Sequence, residues 1–461
     1  MMKRGEPVRL RVGVIGAGAL CEHLLLPALS GPDILAAPDD GAWWLRRPTP
    51  NVDIAFAPPF RVEVVALCDA DPARLKRVGE AARVPLLYTD WKRLLAEHAT
   101  PALTPAAGAL DAIFLALPPA RSDEILVALS SRRLHQATAW LWLAGPPALS
   151  SRRASELSSL HSHRAVWCAR PLSRALAHRA ARRMLDRGEI GVVRALSLRW
   201  HTPLPLASDS AQNRLAEGEF GGQVAALASA LDVLLEFAAP EAALEEEPQL
   251  ERLVLRAQAH ERAGASVALI EFANGVGASL LLSSGDEWNS PLPRLEIVGT
   301  QGRFLVCKGG RELRLYAPRE ATRSWNAPSL APSISGAEAS GVAEDVRLFL
   351  HSLLQERAST RSTTDSLRDE ARRDRRAHSL GRAALVLRLW EELASAARSP
   401  AASSGDEPLE AGASQPPAPL MSPHQDASAS SQSNEPGARS RGSVRRAVVD
   451  GTLQLPFETD E

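Results

Sequence analysis

The chain has 461 residues, 45% hydrophobic and 23% charged, with 53 lysines and arginines against 54 aspartates and glutamates. This is ordinary globular composition, long enough for two or three domains with sizeable cores, and a formal net charge of −1 argues against a surface built to neutralise nucleic-acid phosphates. No apolar run reaches membrane-spanning length, and four cysteines without paired spacing form neither a disulfide framework nor a zinc signature.

Val8–Ile15 alternates arginines with Val8, Leu10, Val12 and Val14, a strand period rather than the unbroken apolar run of a secretion signal. The chain therefore reads as a cytoplasmic protein with reduced thiols, engaging neither membrane nor nucleic acid. A helix follows at Ala19–Leu29. Gly31–Phe60 carries six prolines around the adjacent Trp43 and Trp44, and is expected to be an inserted loop (31–60) that packs on something, such as a partner subunit. Arg61–Cys68 is a second strand, Pro72–Ala82 a helix and Tyr88–Glu97 a short helix. Leu110–Leu117 is a third strand, with a helix near Ser122–Ser130. Thr138–Leu143 is a buried strand and Ser150–His161 another helix. Such alternation predicts an α/β fold, a parallel sheet with helices on both faces.

Beyond about residue 165 the pattern changes. A helix at Leu172–Arg187 ends at a capping Gly188. A strand at Val192–Trp200 and a helix at Val224–Phe237 follow. Strand-like runs at Arg252–Gln258, Ser266–Phe272, Ala278–Leu282, Arg294–Val298, Gly302–Val306 and Glu312–Tyr316 predict an open, mostly antiparallel sheet. Helices at Val342–Leu354 and Leu367–Ala397 complete the second domain, the latter docking through Leu385, Leu387, Leu389 and Trp390. The reading is thus an α/β domain over 1–165, an α+β domain over 166–397, and a disordered tail over 398–461, too poor in large apolar residues to order itself.

The first strand runs into Gly16-Ala17-Gly18-Ala19-Leu20-Cys21, where a Rossmann fold binds pyrophosphate. Gly16 permits the tight turn, Gly18 lets backbone approach phosphate, and the helix start at Ala19 and Leu20 offers free N–H groups. Cys21 takes the third position as a small packing residue. Asp69, ending the second strand, is placed to accept ribose hydroxyls and repel a 2′-phosphate, favouring NAD over NADP. Its expected spacing of ~20 residues returns if 31–60 is an insertion. The alternative is that Asp69 caps the helix begun by Pro72.

Taken in order, several segments resemble the Gfo/Idh/MocA oxidoreductase family: Val12–Ala19 with His23 and Leu26-Pro27-Ala28-Leu29; Ala66–Pro72; Tyr88–Trp91; Asp111–Phe114 with Pro118-Pro119; Asp186–Gly191; and Glu296–Gly302. The resemblance covers most of residues 8–395. It implies a two-domain, NAD(P)-dependent enzyme, with a Rossmann dinucleotide-binding domain over 1–165 and a substrate and oligomerisation domain over 166–397, acting on a sugar-like or other small alcohol or carbonyl substrate. It also implies Leu117 and Pro118 on the nicotinamide side of the cofactor, and a homo-oligomer formed through the C-terminal sheet.

The family's catalytic positions are changed. The lysine of its Glu-Lys-Pro motif falls on Gly145, its helical aspartate and histidine on Ala225 and Ser229, and a further histidine on Ser122, while Gly221, Gly222 and Asp232 persist. The chain's four lysines are Lys3, Lys76, Lys92 and Lys308, so none lies between residues 93 and 307. No catalytic residue is assigned. His161 and His163 read as a solvated helix terminus rather than a metal pair, and no metal is expected. His201 reads as a polar strand end, and Arg179–Arg187 as a solvated helix face. General acid–base help supplies roughly 10²–10⁴ in rate, so its loss permits slow hydride transfer. The rival reading is a non-catalytic nucleotide-binding regulatory or scaffold protein.

Overall fold

β1 (Val8–Ile15) is buried throughout from Val12 onward, as the central strand of a parallel sheet must be. The computed structural model describes residues 8–30, 60–98, 109–130, 140–162, 165–201, 221–239, 254–262, 265–283, 293–308, 310–318, 321–326, 341–359 and 378–398. The loop at 31–59, His163 and the tail from 399 onward lie outside them, as do the side chains of His201 and Ala225.

β1 is followed by a π turn (Cys21–Leu25) that runs into α1 (Leu26–Ser30). Leu26 donates its N–H to the Cys21 carbonyl, one residue beyond α register. Pro27 explains this departure from a regular helix: its ring has no N–H and crowds the carbonyl four residues back, and a wider turn relieves that crowding. β2 (Phe60–Cys68) begins with Phe60, which is core rather than loop at 2% exposure. α2 (Pro72–Ala82) follows, then β3 (Leu86–Tyr88) and α3 (Trp91–His98). The expected helix from Tyr88 is thus corrected: Leu86–Tyr88 pairs with Ala66–Cys68, and helix begins only after Asp90, whose carboxylate accepts from Lys92 N at 2.9 Å. β4 (Ala112–Leu115), α4 (Pro119–Leu129), β5 (Trp140–Leu143), α5 (Ser151–Leu160) and β6 (Val166–Cys168) complete the layer. The six strands are parallel in the order β3-β2-β1-β4-β5-β6, that of a doubly wound Rossmann sheet.

The expected helix over Leu172–Arg187 is two helices, α6 (Pro171–Arg174) and α7 (Leu176–Asp186), broken at the extended Ala175. Two glycines pack closely against the break. A Cβ on Gly310 would sit 2.5 Å from the Ala175 Cβ, and one on Gly341 would sit 2.4 Å from the Ala175 N. Ala177 N donates to the Gly310 carbonyl instead of continuing one helix. Arg179 and Arg182 are not a solvated face either: Arg179 pairs with Glu344 at 3.3 Å, and Arg182 donates to the Glu236 carbonyl and to Asp186. His161 is 2% exposed, its Nε2 at 2.8 Å from the Leu126 carbonyl, so it is a packed residue and not a solvated terminus.

The second sheet has eight strands: β7 (Val193–His201), β8 (Val254–Arg262), β9 (Ala265–Phe272), β10 (Gly277–Ser283), β11 (Arg294–Gly299), β12 (Arg303–Cys307), β13 (Glu312–Tyr316) and β14 (Arg323–Asn326), ordered β14-β13-β12-β11-β7-β10-β9-β8. All pairs are antiparallel except β7 with β10. One face, carrying Leu198, Ile270, Leu280, Ile297 and Phe304, packs against α7 and α8 (Gly221–Ala238). On the other face Val267 and Leu269 are exposed. α9 (Val342–Ser359) packs on the parallel sheet beside α1. α10 (Leu380–Arg398) touches both layers, with Leu385, Leu389 and Leu393 in the core of the second sheet and Leu380, Ala384 and Leu387 in that of the first.

Candidate functional site

The carboxyl ends of the parallel strands converge on the first turn. Gly16 N donates to the Cys68 carbonyl, and Ala116 N to that of Ile15. Gly16 has φ +101°, and a Cβ there would lie 2.4 Å from the Ala116 carbonyl oxygen and 2.9 Å from Leu117 Cδ2. Only glycine fits that position without strain. At Gly18 a Cβ would meet no protein atom within 4 Å, so glycine there leaves room beside the chain. Gly18, Ala19 and Leu20 sit at a helix start, where N–H groups have no intrahelical partner and the dipole is positive. Leu117 and Pro118 border the same turn from the end of β4, both half-buried.

Asp69 directly follows β2, with its carboxylate turned into this turn. Oδ2 accepts from Ala17 N at 2.7 Å, and Oδ1 from Asp71 N at 2.9 Å and Arg74 Nη2 at 2.7 Å. A carboxylate offers about four lone-pair directions, so one on Oδ2 is left for a ligand hydroxyl. Burial works against its charge, but the Arg74 guanidinium and the Asp71 and Ala17 amides outweigh that and hold it below the usual carboxylate range. The cap of α2 is a different residue: Asp71 accepts from Ala73 N and Arg74 N. Cys21 is fully buried, and burial, helped by the Asp69 charge, pushes its thiol up to about 12. It packs and does not react.

A second concavity opens at the ends of β5 and β6, lined by Gly145, Pro146, Arg170, Ala228, Ser229, Asp232, Ser379 and Arg382 among others. Gly145, distant in sequence from Ser229 and Asp232, thus shares one cavity with them, whereas Ser122 is buried in α4. Asp232 is 5% exposed and held between two guanidiniums. Its Oδ1 accepts from Arg382 Nε at 3.0 Å, and its Oδ2 from Arg170 Nε and from Ser173 Oγ at 3.3 Å. Arg170 also reaches Glu236 at 2.8 Å. Burial opposes the charge on Asp232, and the two arginines overcome it, keeping the acid ionised. Behind them Asp345 is fully buried, accepting from Trp142 Nε1 and Trp167 Nε1, each at 2.9 Å, and from Arg170 N at 2.8 Å. His378 stacks on Trp167 with ring centroids 3.8 Å apart.

Arg170 and Arg382 were not among the residues singled out from sequence. Their fixed charges resemble those of the many surface arginines, and the available signal is the pair of acids Asp232 and Glu236, one turn apart in a largely apolar helix, which require buried cations. No grouping of three or more potential metal ligands occurs among the described residues, and no helix among them is long and apolar enough to cross a membrane.

Residues 178–305 match the model of the GFO/IDH/MocA C-terminal domain. No curated protein matches the chain. Among solved structures, a dehydrogenase from Chromobacterium violaceum is similar at TM-score 0.59 and 18% identity, over 84% of this chain and 95% of that one. Levoglucosan dehydrogenase, in complex with NADH and levoglucosan, is similar at 0.57 and 15%, over 84% and 97%. An oxidoreductase from Agrobacterium radiobacter, in complex with NAD+, L-tartaric acid and magnesium, is similar at 0.53 and 16%, over 84% and 96%. At these identities the structures establish a shared fold, and the matched domain bears out the family resemblance over residues 178–305.

Proposed function

We propose that this chain, which carries the GFO/IDH/MocA C-terminal domain over residues 178–305, is an NAD-binding oxidoreductase of that kind with an altered proton relay. Its substrate is a small alcohol or carbonyl compound, sugar-like or otherwise. The observation that carries the reading is the first turn: open space at Gly18 beside a carboxylate fixed on Ala17 N. The residues fit a dinucleotide. Gly18, Ala19 and Leu20 would hold the pyrophosphate, Asp69 the adenosine ribose, and Leu117 and Pro118 the nicotinamide side. NAD, when bound, gives or takes a hydride at the nicotinamide.

The rest falls to this chain's residues. With Gly145 and Ser229 in the cavity, no lysine or histidine among the described residues lines it to move a proton. The cavity is left with positioning, which can contribute more to rate than acid–base help. Domain boundaries near 165 and 397, a cytoplasmic setting and a homo-oligomer through the face bearing Val267 and Leu269 belong to the same reading. The non-catalytic nucleotide-binding alternative draws on the same two replacements, Gly145 and Ser229.

Tryptophan fluorescence titrated with NADH, followed by turnover of polyols, sugars and hydroxy acids, tests the proposal. We expect saturable binding and slow turnover. No binding at about millimolar NADH, a weak affinity on the scale of such sites, would remove the reading. Binding without any turnover would favour the regulatory alternative.

A further inference from the structure

Asp69 does not stand alone at the glycine turn. Arg74 lies in the opening turn of α2, where the helix dipole disfavours a positive charge. Two carboxylates hold it there: its Nη2 donates to Asp69 Oδ1 at 2.7 Å, and its Nη1 lies 4.0 Å from Asp71 Oδ2. One turn on, Arg77 makes a two-pronged pair with Glu22, in the helical segment that follows the glycines. α2 therefore lays two guanidiniums along the edge of the glycine turn. The Asp69 side chain is 7% exposed and that of Arg74 43%, so the acid is fixed while the cation is open to solvent.

The bonding of Asp69 limits what it can read. A carboxylate can hold both hydroxyls of a ribose, one on each oxygen. Here Oδ1 is filled by Asp71 N and Arg74 Nη2, and Oδ2 keeps a single lone pair beside Ala17 N. One ribose hydroxyl can be accepted, and its vicinal neighbour is left beside a carboxylate already neutralised by Arg74. An unpaired Asp69 would repel a 2′-phosphate, whereas the Asp69–Arg74 pair carries no net charge to do so. Of the five guanidinium N–H groups, one goes to Asp69 among the described residues. The planar fork matches phosphate oxygens. We propose that Arg74 determines cofactor choice at this turn by admitting a 2′-phosphate, so that NADPH binds about as well as NADH. This departs from the expectation, drawn from Asp69 alone, that a 2′-phosphate is turned away. It rests on the reading of the turn as a dinucleotide site, and it gives Arg74 no part in the chemistry at the nicotinamide.

The test uses the full chain and calorimetric titration with NADH and with NADPH. The two dissociation constants should agree within about tenfold. Arg74→Met should weaken NADPH binding by about tenfold or more, because it removes the partner of the phosphate and uncovers the Asp69 charge. The same substitution frees a lone pair on Oδ1 for the ribose, so NADH should bind as before or more tightly. Arg74→Lys keeps the charge without the fork, and its NADPH affinity should fall between the two. A purely structural arginine would lower both cofactors together, so the ratio separates the roles. Should a variant fail to fold, the comparison on the unsubstituted chain still decides. NADH binding with NADPH weaker by more than about tenfold would overturn the proposal and leave the oxidoreductase reading standing. Equal losses of both cofactors in Arg74→Met, or undiminished NADPH binding there, would do the same. Binding of neither cofactor would remove both.

Discussion

Replacing Gly16 and Gly18 in turn by alanine should separate a folding requirement from a ligand requirement. Gly16 has φ +101°, and an added Cβ would stand 2.4 Å from a backbone carbonyl oxygen, which cannot rotate aside as a side chain would. Left-handed strain costs about 1–3 kcal/mol, and overpacking against fixed atoms a similar amount. Gly16→Ala should therefore destabilise by about 3 kcal/mol. Gly18 lies outside the positive-φ region, and its Cβ would meet nothing within 4 Å. Gly18→Ala should leave stability unchanged or raise it by about 0.5 kcal/mol, through a less flexible unfolded chain. The same methyl occupies the space reserved for the pyrophosphate, so NADH affinity should fall by about tenfold or more, the equivalent of about 1.4 kcal/mol. Urea unfolding with fluorescence detection gives the first quantity and calorimetric NADH titration the second. A Gly18→Ala protein that is destabilised like Gly16→Ala, or that binds NADH as before, would refute the assignment of this turn.

Three other outcomes follow from buried groups. His178 is 2% exposed, with both ring nitrogens unpartnered among the described residues, and burial depresses its pKa to about 4. The unfolded chain then binds the extra proton first, so stability should fall by about 3 kcal/mol as pH drops from about 6.5 to about 4; His178→Leu should remove that slope and stabilise the protein near neutrality, and an unchanged slope in urea titrations would contradict this. Asp345→Ala strands two indole N–H groups and the Arg170 amide, and should cost about 3–5 kcal/mol; a loss below about 1 kcal/mol would show that the network rearranges. Cys21 and Cys68, each with a thiol pushed up to about 12 chiefly by burial, should resist a thiol reagent at pH 8 in the native protein and react on unfolding; labelling of either at the rate of a free thiol would refute their burial.

Local periodicity carried much of the architecture. β1 and β13 match their expected spans, because an apolar run bounded by turn residues has few alternatives. β3 was hidden because three residues carry too little pattern, and β14, Arg323–Asn326, because its residues are polar or lone aromatics. The break at Ala175 is not legible in the local pattern, since the glycines packed against it, Gly310 and Gly341, are remote in sequence. The first turn was visible because glycines and an acid after apolar strands are distinctive. The arginines of the cavity were not, because a guanidinium advertises nothing about burial. Asp69 was legible as a position, but its bond to Ala17 N required a fold that brings β1 and β2 side by side.

The placement of α10 bears on how the polypeptide matures. Leu385, Leu389 and Leu393 fill one hydrophobic interior, and Leu380, Ala384 and Leu387 another. Neither interior closes until the ribosome has delivered this segment, and the same segment brings Ser379 and Arg382. Nascent chains stalled upstream of Leu380 would thus expose apolar surface to chaperones while lacking the guanidinium donor altogether, so acquisition of a finished cavity and escape from quality control become a single late event.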